Sequence, residues 1–188
     1  MRGAGERRQL TILFADIRDF TPFCETNAPE RVFGTLNEYM PAMLDPIDQQ
    51  GGVVDKIIGD AVMGVFGLLP AQIPAARQAV MAAIGISNNV AAVNAERARR
   101  GEKTLGIGIG LATGPVAIGV IGSIDRRGFT AIGHHVNFAA RLQNYARAGE
   151  IVIDEDTQRA VDAAALGFAA EELSLKGFRE KVRAYVRK

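Results

Sequence analysis

Between Leu105 and Leu111 the sequence reads L-G-I-G-I-G-L. Only an extended strand turns such a pattern into two faces of different character. Leu105, Ile107, Ile109 and Leu111 share one face, which needs an apolar layer against it. Gly106, Gly108 and Gly110 leave the other face bare, so another stretch of backbone can approach closely there. A fold containing this strand must pack something on each side of it.

The rest of the chain supplies the partners. Leu10 to Ala15 reads as a buried strand. Val32, Phe33, Leu36, Tyr39, Met40, Met43, Leu44 and Ile47 repeat at helical period, with Pro41 and Pro46 expected to kink or divide the helix and Gly51-Gly52 to stop it. "GVVDKIIGDAVMGVFG" reads as a hairpin turning at Gly59-Asp60, where glycine in first place suits a type II′ turn. Ile73 to Arg100 is an alanine-rich helix ended by Gly101. "PVAIGVIG" continues extended and "GFTAIG" is a further strand. Val136 to Ala146 is a helix, "EIVID" a strand, a short helix starts at Thr157, and "KVRAYVRK" closes the chain as a strand. Helices interleaved with short strands around one tight hairpin predict an α/β (α+β) sandwich of ferredoxin-like type, βαββαβ with additions. Its helices are expected on one face, with the first strand beside the hairpin.

Composition narrows the function classes. The 188 residues suffice for one domain, and 48% hydrophobic residues exclude disorder. A net charge of +1 with scattered Lys and Arg argues against a nucleic-acid surface. No apolar run has the length of a membrane span, and no signal segment follows the basic start, so neither a membrane segment nor secretion is expected. The single cysteine, Cys24, forms no internal disulfide, which suits a cytoplasmic location. Residues 1–9 read as a linker or N-terminal stub and 10–188 as the domain.

Chemistry enters where charges interrupt apolar runs. Asp16 follows the first strand, and a buried carboxylate costs several kcal/mol, on the order of 3–5, unless a cation meets it. Asp16 with Asp19 can shape a turn into a helix, or Asp16 can be a metal ligand. Asp60 at the hairpin tip is equally a turn residue or a second ligand. If the first strand lies beside the hairpin, the two carboxylates converge, and the Ile17 carbonyl adds an oxygen for a hard divalent cation. Phe20 and Thr21 follow where a helix begins and backbone N–H groups can receive phosphate. Asn137 and Arg141 share a helix face at i, i+4, either as a solvated face or as an amide for a ribose and a guanidinium for a phosphoryl group. Lys176 before Gly177 is a turn lysine or a triphosphate contact. Two weaker signals carry little: no helix opens after the glycines of "GIGIGLATG", and His134-His135 have no third ligand nearby.

Five stretches, "LFADIRDFT", "DKIIGDAVMGVFG", "LATGPVAIGVIGS", "FTAIGHHVNFAARLQ" and "LKGF", occur in the order found in class III nucleotidyl cyclases. The chain resembles their catalytic domain from about Leu10 to the C-terminus. The resemblance implies the following roles. Asp16 and Asp60 bind two Mg²⁺ or Mn²⁺ ions per active site, Asn137 orients the ribose, Arg141 stabilises the reacting phosphoryl group, and Lys176 contacts the phosphates. Lys56 and Thr130 read the base. A lysine ammonium donates to adenine N1 and a threonine hydroxyl accepts from the 6-amino group, whereas guanine reverses both demands. Thr130 resembles the threonine-type bacterial subgroup, some of which respond to bicarbonate. The implied function is an adenylate cyclase acting on ATP as a head-to-tail homodimer under an upstream sensor, with "GPVAIGVIGS" as the arm across the interface. A guanylate cyclase and a silent nucleotide-binding signalling domain are the alternatives; Lys56 argues against the first and the full residue set against the second. Asp19, where many members have Gly, and His134, where many have Asp, depart from the pattern.

Overall fold

The computed structural model describes residues 5–123, 126–162, 164–178 and 180–188. One sheet of eight strands runs in the order β2-β3-β1-β4-β6-β8-β7, with β5 paired to β4 off that path. In chain order the elements are β1 (Glu6–Ile17), α1 (Phe20–Thr26), α2 (Pro29–Gln49), β2 (Val53–Ile58), β3 (Ala61–Phe66) and α3 (Ala75–Arg99). They continue with β4 (Ile107–Ser123), β5 (Arg126–Ile132), α4 (His134–Tyr145), β6 (Ile151–Asp154), α5 (Glu155–Arg159), β7 (Ala169–Leu173) and β8 (Val182–Arg187). Residues 1–4 of the expected N-terminal stub lie outside the described residues, while Glu6 to Gln9 already belong to β1.

β1 lies at the centre. It pairs antiparallel with β3 on one edge and β4 on the other, and β4 pairs parallel with β6. Strand β1 beside the hairpin is as the sequence predicts. The helices, however, are not all on one face. Leu13, Ala15, Ile17, Ile107, Ile109 and Leu111 face α2 and α3. Leu10, Ile12 and Ala112 face α4 through Phe138, Ala139 and Leu142. The glycine face of β4 explains the second layer. A Cβ on Gly110 would fall 2.1 Å from the backbone nitrogen of Gln143, so α4 lies directly on bare strand.

Two other features differ from the sequence reading, the unbroken α2 and an added strand. α2 is one unbroken helix through Pro41 and Pro46. Its apolar face is held by α3 and the sheet, and the Pro46 ring sits against Gly85, where a Cβ would come within 3.1 Å; this packing outweighs the two missing N–H bonds. The "PVAIGVIG" segment continues extended as predicted, forming the second half of the 17-residue β4. β7, "AAEEL", was not foreseen; its residues favour helix, but pairing with β8 makes it an edge strand. The Gly59-Asp60 turn is as predicted, with Gly59 at φ 62° and Ile58 opposite Ala61.

Candidate active site

The first cluster forms where β1 ends. Register places Asp16 opposite Ala61, one residue from Asp60 at the hairpin tip. A cavity of about 270 Å³ is lined by Asp16, Ile17, Arg18, Asp19, Phe20, Thr21, Pro22 and Asp60. Burial and the negative charge of Asp16 push the Asp60 carboxyl up to about 6 from the usual 3.8. Asp16 accepts hydrogen bonds from Arg18 at 3.2 Å and from Gln143 Nε2 at 3.0 Å. The other end of the Arg18 guanidinium donates to the Gln143 carbonyl, tying this cluster to α4. Asp19 adopts the left-handed conformation, φ 59° and ψ 24°, immediately before α1. Glycine takes that conformation without strain and Asp tolerates it, which gives a backbone reason for the Asp-for-Gly departure.

The donor set fits a hard divalent cation. Burial, and then the nearby Asp16 charge, raise the Asp60 carboxyl, which marks a deficit of positive charge at this place. All the donors are oxygens. Among the described residues no group of three or more His, Cys, Asp or Glu side chains could hold a metal. Two carboxylates with a backbone carbonyl suit Mg²⁺ or Mn²⁺, which keep positions for water and substrate phosphate.

The second cluster lies on α4 and the loop before β8. Arg141, Asn144, Tyr145, Ser174, Leu175, Lys176 and Gly177 line a cavity of about 620 Å³. The Arg141 guanidinium stacks 5.2 Å above the Phe178 ring centroid. Phe178 is packed in turn by Phe138 at 5.4 Å and His134 at 6.0 Å. His134 is thus an aromatic support at the start of α4. His135 fills the space over Gly114 and bonds the Pro115 carbonyl at 3.3 Å. Asn137 is exposed one helical turn before Arg141.

The third cluster joins β2 to β5. Lys56 Nζ donates to Thr130 Oγ1 at 2.5 Å. Asp55, its side chain 3% exposed, receives Lys56 at 2.8 Å and the Thr130 hydroxyl at 3.3 Å.

Asp16, Ile17, Phe20, Thr21 and Asp60 therefore come together, as do Arg141 with Lys176 and Lys56 with Thr130. The first two groups line different cavities of the one chain, and Asn137 lines neither. Arg18, Asp55, Gln143 and Phe178 were missed. Asp55 carried the same signal as Asp16, a carboxylate inside an apolar strand; the other three are ordinary surface-type or aromatic residues in the sequence.

The sequence profile of the "Adenylate and Guanylate cyclase catalytic domain" matches residues 4–188. An adenylate cyclase of Anabaena cylindrica is 33% identical over 97% of this chain, which spans 37% of that protein's length. Among solved structures, the guanylyl cyclase Cya2 superposes with a TM-score of 0.87 at 32% identity, covering 98% of this chain and 93% of that one. The adenylyl cyclase CyaB from P. aeruginosa gives the same TM-score at 31% identity, covering 96% and 94%. The β1–hairpin carboxylates and the arginine-bearing α4 thus sit in an architecture shared by enzymes of both nucleotide preferences. The chain belongs to the family of adenylate and guanylate cyclase catalytic domains.

Proposed function

We propose that the chain is an adenylate cyclase, converting ATP to 3′,5′-cyclic AMP and pyrophosphate at sites shared by two copies packed head to tail. The observation that carries this reading is the Lys56–Thr130 contact at 2.5 Å. It presents an ammonium donor beside a hydroxyl oxygen, the complement of adenine N1 and its 6-amino group. Superposition is equally good on a guanylyl and an adenylyl cyclase, so base choice has to rest on this pair.

In the reaction the ribose 3′-oxygen bonds to the α-phosphorus as the bond to the β-phosphate oxygen breaks, and the hydroxyl proton passes to solvent. Asp16, Asp60 and the Ile17 carbonyl would hold Mg²⁺ or Mn²⁺. Bound there, such ions supply Lewis acidity toward the 3′-hydroxyl and the triphosphate. Asn137 orients the ribose. Arg141, braced by Phe178, faces the charge that develops as pyrophosphate leaves, and Lys176 in the same cavity binds the phosphates. Phe20 and Thr21 close the carboxylate side. The separate cavities for Asp60 and Arg141 support a shared site: each copy offers one half to its partner, and a two-fold pair assembles two whole sites. Control by an upstream sensor belongs to the same reading. Purified chain with Mn²⁺ and either ATP or GTP, assayed for both cyclic products, tests it. Cyclic AMP from ATP is the expected result; preference for GTP, or turnover of neither, overturns it.

A further inference from the structure

We propose that Asp55 sets the base preference, acting as a positioning residue that fixes the direction of the Thr130 hydroxyl. The inference rests on the reading of Lys56 and Thr130 as the base-contacting pair.

A hydroxyl alone does not discriminate adenine from guanine. It has one proton and two lone pairs, so it can accept from a 6-amino group or rotate and donate to a 6-oxo group. Something must hold the proton away from the base. The β2–β3 register passes from Val54↔Gly64 directly to Lys56↔Met63, leaving Asp55 as the extra residue of a bulge. In a regular strand residues 55 and 56 would point to opposite faces; a bulge re-aims a side chain. Here both meet Thr130 of β5. The Asp55 side chain is 3% exposed and that of Lys56 39%, so the carboxylate lies beneath the ammonium.

The geometry then settles the hydroxyl. A carboxylate only accepts, and Asp55 Oδ2 takes the Thr130 proton at 3.3 Å. An ammonium only donates, and Lys56 Nζ occupies one lone pair at 2.5 Å. One lone pair is left, which makes Thr130 a pure acceptor toward the base. Adenine offers a 6-amino donor to it and an N1 acceptor to Lys56. Guanine would set its O6 against the lone pair and its N1–H against the ammonium. The buried carboxylate meets both of these partners at once, so the three side chains act as one unit.

The test uses the purified chain with Mn²⁺ and compares kcat/KM for ATP, ITP and GTP. ITP differs from ATP only at N1 and position 6. In Asp55→Asn the carboxamide can donate to Thr130 and release the hydroxyl proton toward the base. The ATP/ITP ratio should fall about tenfold or more, mainly through KM. Asp55→Ala should move it in the same direction. An equal loss for all three nucleotides marks a merely structural role and overturns the proposal, as does an unchanged ratio. Thr130→Val separates the two levels of inference. If it lowers the ratio while both Asp55 variants leave it alone, only the Asp55 proposal fails. If Thr130→Val also leaves it alone, or the wild-type chain shows no ATP preference, the base-reading assignment fails and this inference with it. One measurement needs no variant: 6-methoxypurine riboside triphosphate keeps the N1 acceptor but puts an acceptor oxygen at position 6. The wild-type chain should use it at least about tenfold less well than ATP, and use at the ATP level overturns the locked hydroxyl.

Discussion

Adding one methyl group at Gly110 should damage catalysis from beneath the helix that carries the side chains proposed to be catalytic. The new Cβ would lie 2.1 Å from Gln143 N, 2.5 Å from the Ala139 carbonyl oxygen and 2.7 Å from Gln143 Cα. These are backbone atoms, so no rotamer change relieves the clash. To restore ordinary contact near 3.4 Å, α4 must lift from β4 by about 1.3 Å. Overpacking of this kind costs about 1–3 kcal/mol, which lowers Tm by about 2–4 °C per kcal/mol in a domain of this size. The functional loss should be larger than the stability loss suggests. α4 carries Asn137 and Arg141, and a displacement near 1 Å from productive geometry costs on the order of 10²-fold in rate. The assay is paired: thermal unfolding by circular dichroism, and initial rates of cyclic nucleotide formation at saturating nucleotide and Mn²⁺. Gly34→Ala is the control. It lies exposed within α2 with nothing within 4 Å of an added Cβ, and should gain about 0.5–1 kcal/mol. If Gly110→Ala keeps wild-type Tm and rate, α4 is not seated on the bare strand and the reasoning fails.

Asp16→Ala and Arg141→Ala should each be inactive alone, yet co-expressed they should recover roughly a quarter of wild-type activity, because half the dimers are mixed and each mixed dimer has one intact site; verified mixed dimers with no recovery exclude shared sites. The raised Asp60 carboxyl means that, without metal, the folded chain holds a proton there between 3.8 and about 6 that the unfolded chain does not, so this group's contribution to stability falls as pH rises through that window. A divalent cation displaces that proton, so the Tm increase produced by Mn²⁺ should be larger at about pH 7.5 than at about pH 5; equal increases would show that Asp60 does not bind it. Asp19→Gly should raise stability in urea unfolding by up to about 1 kcal/mol and Asp19→Val should lower it by about 1–2, since glycine relieves the left-handed strain that Asp bears and a β-branched residue increases it; a less stable glycine variant would contradict this.

What was readable in the sequence was mostly what local chemistry dictates. The apolar run before Asp16 and the glycine-first turn at Gly59-Asp60 each specify their own geometry, and the converging carboxylates follow from pairing them. The glycines of β4 announced a close neighbour but not which one. That α4 occupies that face, and α2 and α3 the other, depends on chain path rather than on any residue. "AAEEL" became β7 against its own preference because β8 offers it a ladder. Of the site residues, Asp16 and Asp60 stood out as charges in apolar surroundings. Asn137, Arg141 and Lys176 looked like any solvated surface until the resemblance gave them roles. Arg18 and Gln143 carry no local signal, since their importance lies in meeting across 125 residues of sequence.

Because β1 is flanked on both edges, the domain has an order of assembly during synthesis. Its β3 edge is filled by residues 61–66, so that half can pair early. Its β4 edge waits for residues 107–118. At about 5–20 residues per second, the apolar strand leaves the ribosome with an open edge for roughly 3–10 s after β3 has docked. The cleft at Asp16 matures later still, since Gln143 both bonds that carboxylate and receives Arg18. A nascent domain therefore has its hairpin before it has a finished carboxylate pair. Slow codons or chaperone contacts acting between residues 66 and 118 would bear on the strand most exposed to mispairing, and that is the strand that carries Asp16, the proposed metal ligand.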